Sequence, residues 1–227
     1  MKTLLGLLAC LMVLGSSARE RRDLAQIGRY EQANNELIMQ PNDGKRVVLL
    51  GNSITEDWAE VHPEFFGEHR LTGRGIGGQT SHEMLLRFRR DVMALAPSVV
   101  VISAGTNDIA ENTGPYREDV TMGNIETMIM LARHAGIRVV IASVLPCDHY
   151  VWNPDVDDVP GKVARLNQRL QALSTQYDAP YVDYFTPLVA QDGHALNPAY
   201  TEDGVHPTLP GFLLMEQALL PVIEKLR

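Results

Sequence analysis

Short apolar runs alternate with amphipathic stretches along most of this chain. Residues 47–50 (Val-Val-Leu-Leu) are uninterruptedly apolar and stop at Gly51. Residues 98–103, 137–144 and 180–185 read the same way, and a shorter run covers 71–76. Their β-branched content predicts buried strands rather than pieces of helix. Between the runs, apolar residues recur at helical spacing. Met84, Leu85, Phe88, Val92 and Leu95 make one face, and Ile125, Met128, Ile129 and Ala132, ended by Gly136, make another. A third, Val163, Leu166, Leu170 and Leu173, begins after Pro160-Gly161, and the last is Phe212, Met215, Leu219 and Ile223. Leu24, Ile27, Tyr30 and Leu37 predict a covering helix over 20–38, followed by a turn at Pro41-Asn42-Asp43-Gly44. Strands apolar on both faces, alternating with amphipathic helices, predict an α/β fold: a three-layer α/β/α sandwich around a mainly parallel sheet. Ligands of such sheets sit beyond the carboxyl ends of the strands. Chemistry is therefore expected in the loops that follow strands.

Composition narrows the picture. The 227 residues, 45% hydrophobic, suit one domain with one ordinary core, and no repeat period is visible. Lys2, the apolar stretch 4–14 and Ser16-Ser17-Ala18 read as a signal peptide over residues 1–18, leaving a single domain over 19–227. The apolar stretch is shorter than the roughly 20 residues that span a bilayer, so stable membrane insertion is not expected. The expected location is periplasmic or secreted; a lipoprotein anchored through Cys10 ranks second. Formal charge is −8, and one unit more negative without residues 1–18, which hold Lys2 and no acid. Such a surface repels phosphate backbones and anionic membranes, which argues against nucleic acid as a partner. Beyond the leader Cys147 is the one remaining cysteine, which excludes an intrachain disulfide in the processed chain. With His149 nearby it is a conceivable nucleophile, but a buried space-filler at a strand end is the favoured reading.

Four segments carry candidate chemistry. Gly51-Asn52-Ser53-Ile54-Thr55 puts a serine directly after a strand, at the start of a helix whose amides face whatever it attacks. A plain helix cap would look the same. Arg74-Gly75-Ile76-Gly77-Gly78-Gln79-Thr80-Ser81 lets the backbone approach a ligand, but its spacing is not the dinucleotide fingerprint. Ser103-Ala104-Gly105-Thr106-Asn107-Asp108 ends another strand, and Asn107 could donate an N–H to a negative oxygen or simply make an Asx turn. In Asp203-Gly204-Val205-His206-Pro207 the spacing lets Asp203 hold Nδ1–H of His206, leaving Nε2 to take a proton. No G-x-S-x-G elbow is present, and no H-E-x-x-H or H-x-x-E-H pattern calls for a metal. The pairs Asp148/His149 and Asp192/His194 read as solvated loops, as does 155–158.

Taken in order, the four segments resemble the SGNH hydrolases, the GDSL esterase/lipase family, nearest to its platelet-activating-factor-acetylhydrolase-like and sugar O-acetyl-esterase-like members. The resemblance runs over 47–207, through Ser53, Gly78, Asn107 and His206. It departs at Asn52, where the family's motif has an aspartate. The resemblance implies a flavodoxin-like fold and a serine esterase without metal or cofactor. It implies Ser53, His206 and Asp203 as the catalytic residues, with the Ser53 and Gly78 N–H groups and the Asn107 side chain as the oxyanion hole. The expected substrate is a small ester or an acetylated glycan. A lysophospholipase, a thioesterase, or a non-catalytic glycan-binding module of the same fold are the alternatives. The loop 147–160 should border the site. Its Tyr150 and Trp152 are candidates to stack on a sugar, or equally to pack the loop.

Overall fold

The computed structural model describes residues 23–227. The expected leader over residues 1–18 lies outside them. Five strands form one sheet: β1 (Val47–Gly51), β2 (Leu71–Gly75), β3 (Val99–Ile102), β4 (Arg138–Ala142) and β5 (Tyr181–Val182). Their order is β2-β1-β3-β4-β5 and every pairing is parallel. The order reverses between β1 and β3, so the switch crevice opens beyond the ends of those two strands. The four-residue run 47–50 is buried throughout, as a sheet covered on both sides requires.

Side chains alternate between two cores. Val48, Leu50, Val100, Ile102, Val139 and Ile141 face one core. It is closed by α4 (Ser81–Asp91), α6 (Glu118–His134) and α7 (Val159–Tyr177). Val47, Leu49, Val99, Val101, Val140 and Ala142 face the other. That side is covered by α2 (Ser53–Val61), α3 (Pro63–Glu68) and α9 (Leu209–Leu226). Trp58 of α2 is its centre, stacked between Phe65 at 5.7 Å and Phe212 at 5.8 Å. Two short helices, α5 (Thr106–Ile109) and α8 (Phe185–Leu188), follow β3 and β5.

Three segments differ from the sequence pattern. The helix expected over 20–38 is reduced to α1 (Glu31–Ile38), because Gln26 takes a positive φ of 48° and breaks the helical path before it. The strand expected over 180–185 keeps only Tyr181 and Val182. The Ser143 hydroxyl accepts the Tyr184 and Phe185 N–H groups, and Asp183 accepts the Thr186 N–H at 3.0 Å, so the chain turns into α8. Helix α7 starts at Val159, with Pro160 in its first turn, where the missing N–H has no intrahelical partner to lose.

At Gly51↔Gly75, β1 and β2 end side by side. A Cβ on Gly75 would lie 2.2 Å from the Glu56 N atom. Only glycine lets the first turn of α2 pack directly on the end of β2. The segment after β2 thereby comes to lie against the serine that opens α2.

Candidate active site

The chain leaves β1 through Asn52, whose side-chain oxygen accepts the Ile54 N–H at 3.1 Å. The capping function thus falls to Asn52 and not to Ser53. Asparagine supplies the same capping oxygen as the aspartate it stands in for. The Ser53 hydroxyl is left for another partner, and its Oγ lies 2.8 Å from Nε2 of His206. The second ring nitrogen, Nδ1, lies 2.6 Å from Asp203 Oδ2. A carboxylate at Nδ1 retains the proton there, so Nε2 accepts from the serine.

Asp203 and His206 sit in the loop ahead of α9, and the loop is self-bracing. Asp203 Oδ1 accepts the Val205 N–H at 2.9 Å, the His206 N–H at 2.8 Å and the Thr201 hydroxyl at 3.2 Å. Burial by itself pushes the Asp203 carboxyl up. The His206 N–H, the His206 ring and the Val205 N–H outweigh that and hold it at about 2. The carboxylate is therefore ionised wherever His206 acts as a base.

The glycine-rich loop lies beside this pair. A Cβ on Gly77 would be 3.9 Å from the Ser53 Cβ. Three of the loop's amides are committed: Ile76 N–H to Gly51 O at 3.3 Å, Gly77 N–H to Glu56 Oε2 at 2.6 Å and Gln79 N–H to Ile76 O at 3.3 Å. The N–H of Gly78 donates to no protein group among the described residues. Gly78 adopts φ 75°, the left-handed region that favours glycine. The Ser53 N–H, at the first position of α2, has no intrahelical acceptor either. Asn107, which is buried, gives one N–H to Gln79 O at 3.0 Å and keeps its second amide hydrogen. The neighbouring Asp108 is structural: it accepts the Ser81 N–H at 2.9 Å, the Ser81 hydroxyl at 2.5 Å and the Thr121 hydroxyl at 3.0 Å.

The loop after β4 divides its two aromatic candidates. Trp152 is 44% exposed, and its ring centroid lies 6.3 Å from that of His206. Tyr150 is fully buried, so no face of its ring is open to a ligand, and its candidacy as a substrate contact is corrected. The reason is a turn: Asn153 N–H bonds back to Tyr150 O at 3.1 Å, while the Asn153 side chain holds Ala110 O at 2.9 Å. Tyr150 is left inside and Trp152 outside. Cys147 is buried, and burial pushes its thiol up to about 12, which removes it as a nucleophile at neutral pH.

Sequence reasoning missed Asn112. Its Oδ1 accepts the Trp152 indole N–H at 3.0 Å and its Nδ2 donates to Gly78 O at 3.0 Å. It joins the exposed aromatic to the glycine loop. Glu56 was missed as well. No local pattern marks either residue, because their partners lie 21 to 40 positions away.

The chain matches the GDSL-like lipase/acylhydrolase family over residues 49–212. It is 50% identical to a candidate acylhydrolase from Bacteroides fragilis, covering 91% of this chain and 100% of that one, with a TM-score of 0.88. A GDSL-like lipase from Bacteroides thetaiotaomicron is 48% identical over 88% of this chain and 98% of its own, with a TM-score of 0.86. Among curated proteins, an acetylxylan esterase of Xylanibacter ruminicola is 23% identical over 218 residues, 80% of this chain. The chain spans 44% of the length of that relative.

Proposed function

Because this chain belongs to the GDSL-like lipase/acylhydrolase family, we propose that it is a carboxylic ester hydrolase that cleaves short O-acyl esters, acetyl esters of carbohydrates foremost, through an acyl-Ser53 intermediate. The observation that carries this reading is the relay from Ser53 Oγ through His206 to Asp203, at 2.8 and 2.6 Å, beside the uncommitted N–H of Gly78.

In the proposed reaction, His206 Nε2 takes the Ser53 proton as Oγ attacks the ester carbonyl. The carbonyl oxygen becomes an oxyanion held by the Ser53 and Gly78 N–H groups and the second amide hydrogen of Asn107. The C–O bond to the alcohol then breaks, and His206 returns its proton to the departing alkoxide. Asp203 stabilises the imidazolium between these steps. Water, deprotonated by His206, repeats the attack on acyl-Ser53. The carboxylic acid leaves and Ser53 recovers its proton.

The leaving alcohol departs on the His206 side, where Trp152 stands exposed. A flat aromatic face with its N–H already engaged suits the apolar face of a sugar ring. The likeness to an acetylxylan esterase supports the same substrate class. The reading includes export to the periplasm or medium, supported by Lys2, the apolar stretch 4–14 and the small residues 16–18. Sequencing the N-terminus of the processed protein tests that part, with a start near Arg19 expected and a lipid-modified Cys10 against it.

The central test is acetate release from acetylated xylo-oligosaccharides by the wild-type protein and by Ser53→Ala. The wild type should release acetate, and a folded Ser53→Ala should fall to near background. Wild-type turnover by a folded Ser53→Ala would remove the proposal.

A further inference from the structure

The segment ahead of the sheet is attached to one loop mainly through polar contacts. Residues 23–38 precede β1 and lie outside the span 49–212 that matches the family. The Tyr30 hydroxyl donates to Gly75 O. The Gln79 side-chain amide donates to Ala25 O at 2.8 Å. Arg29 donates to Glu56 Oε1 at 2.8 Å, and the other oxygen of the same carboxylate holds the Gly77 N–H at 2.6 Å. Arg74 Nε donates to Asn34 Oδ1 at 2.8 Å, and its guanidinium lies 4.7 Å above the Tyr30 ring. Residues 74, 75, 77 and 79 are thus tied down on either side of Gly78, whose own N–H is left uncommitted.

Ala25 is buried and Leu37 packs against the core, but the rest of the segment's apolar surface is left open. Leu24 is 71% exposed and Ile38 48% exposed. The buried residue of α1 is Asn34, a polar one. An element held only for stability would bury its apolar face, since hydrophobic burial is non-directional and proportional to area. Hydrogen bonds are directional, and these reach the loop through the Gly75 carbonyl, the Arg74 and Gln79 side chains and, by way of Glu56, the Gly77 N–H, while Asn34 and Glu31 also bond to α4.

We propose that residues 25–34 form a strap that orients the loop 74–79, so that the Gly78 N–H points at the developing oxyanion. Arg29, acting through Glu56, and Tyr30 are its positioning residues. The inference rests on the reading of Gly78 as an oxyanion donor. Such a donor acts chiefly in the transition state, so a loosened strap lowers kcat and leaves KM nearly unchanged. Misplacement by about 1 Å is enough for a large rate loss.

The test uses the whole chain with Tyr30→Phe, Arg29→Met and the double variant, none of which removes a buried apolar group. Two readouts are taken. Amide hydrogen exchange of the peptide covering 74–79 needs no catalysis, and kcat and KM are measured on p-nitrophenyl acetate. In the double variant, exchange in 74–79 should quicken about tenfold while the sheet peptides stay protected. The same variant should lose about tenfold in kcat with KM within about twofold, and Arg29→Lys should retain most of the rate. Unchanged exchange with unchanged kcat overturns the strap and leaves the esterase reading standing. Faster exchange with unchanged kcat also overturns it, because the loop's orientation would then not matter to the reaction. Faster exchange across the whole sheet reduces the segment to general support of the fold, and overturns it too. A wild type that hydrolyses no ester sinks the reading beneath the proposal, and the exchange data separate that failure from the others.

Discussion

What sets Ser53 apart is its partner: an imidazole nitrogen 2.8 Å from its hydroxyl, oriented by a carboxylate that does not protonate in the working range. Asn107 combines two tasks. One amide hydrogen braces Gln79 O, and in the proposed reaction the second meets the oxyanion. Asn107→Ala should therefore lower kcat by about 10²–10³ with a smaller effect on KM. It should also lower stability by about 1–3 kcal/mol, because a buried carbonyl loses its donor. Steady-state kinetics and urea unfolding check the two halves, and an effect confined to KM would make Asn107 a ground-state contact instead. Asp203 allows a prediction in pH. Its carboxyl is depressed from the ordinary 3.8 to about 2, so the folded state binds this proton more weakly than the unfolded chain does. Its stabilising contribution is complete above about pH 4 and is lost as pH falls through about 2. The urea midpoint of the wild type should exceed that of Asp203→Asn at pH 5, and the gap should shrink steadily towards pH 2.5. A gap that does not change over that range would show that the carboxylate gains nothing on folding.

At the scale of elements, the site depends on how β1, β2 and α4 are fastened together. Arg87 of α4 is fully buried and spans all three. It donates to Gly51 O at 2.8 Å, Arg74 O at 3.0 Å, Gln79 Oε1 at 2.6 Å and Asp91 Oδ2 at 3.0 Å. Two of those acceptors flank the nucleophile turn and the glycine loop. Arg87→Ala leaves Asp91 as a buried carboxylate without its arginine, and strips donors from two backbone carbonyls. Breaking a buried pair in this way costs about 3–5 kcal/mol. Chemical unfolding should show a loss of that size, and a loss below about 1 kcal/mol would mean that water replaces the guanidinium. Much of the site was legible in sequence at this scale. The Asp203–His206 pair spans one tight loop, and Ser53, Gly78 and Asn107 each follow a strand end. Such features are local, set by strand period, glycine placement and short-range hydrogen bonds. Arg87 was not legible, since an arginine within an amphipathic helix reads as a solvated one.

For the whole molecule, the question is what the crevice at the β1/β3 switch can hold. The segments around Ser53 are rich in polar residues and glycine, and the exposed aromatic beside His206 is Trp152. Among the described residues no helix is long and apolar enough to cross a membrane. Each buried methylene of an acyl chain contributes about 0.8 kcal/mol, and only where an apolar channel encloses it. The expected profile over p-nitrophenyl esters is a kcat/KM that is highest at acetate and falls towards octanoate. A steady rise with chain length would point instead to a lipase-like or lysophospholipase-like enzyme.

The sequence alone determined the layered α/β architecture, because buried strands and amphipathic helices have different periods that survive without tertiary context. It also marked the candidate residues, each of which sits at a strand end or in a tight turn. Tertiary structure decided which of them meet. Ser53 and His206 are 153 positions apart, and no spacing rule joins them across that distance. It also decided that Tyr150 faces inward while Trp152 faces out, that Asn112 bridges Trp152 to Gly78, and that residues 25–34 grip the loop 74–79. Those contacts come from packing between segments remote in the chain, and packing is settled only when the whole sheet and its helices close around one another.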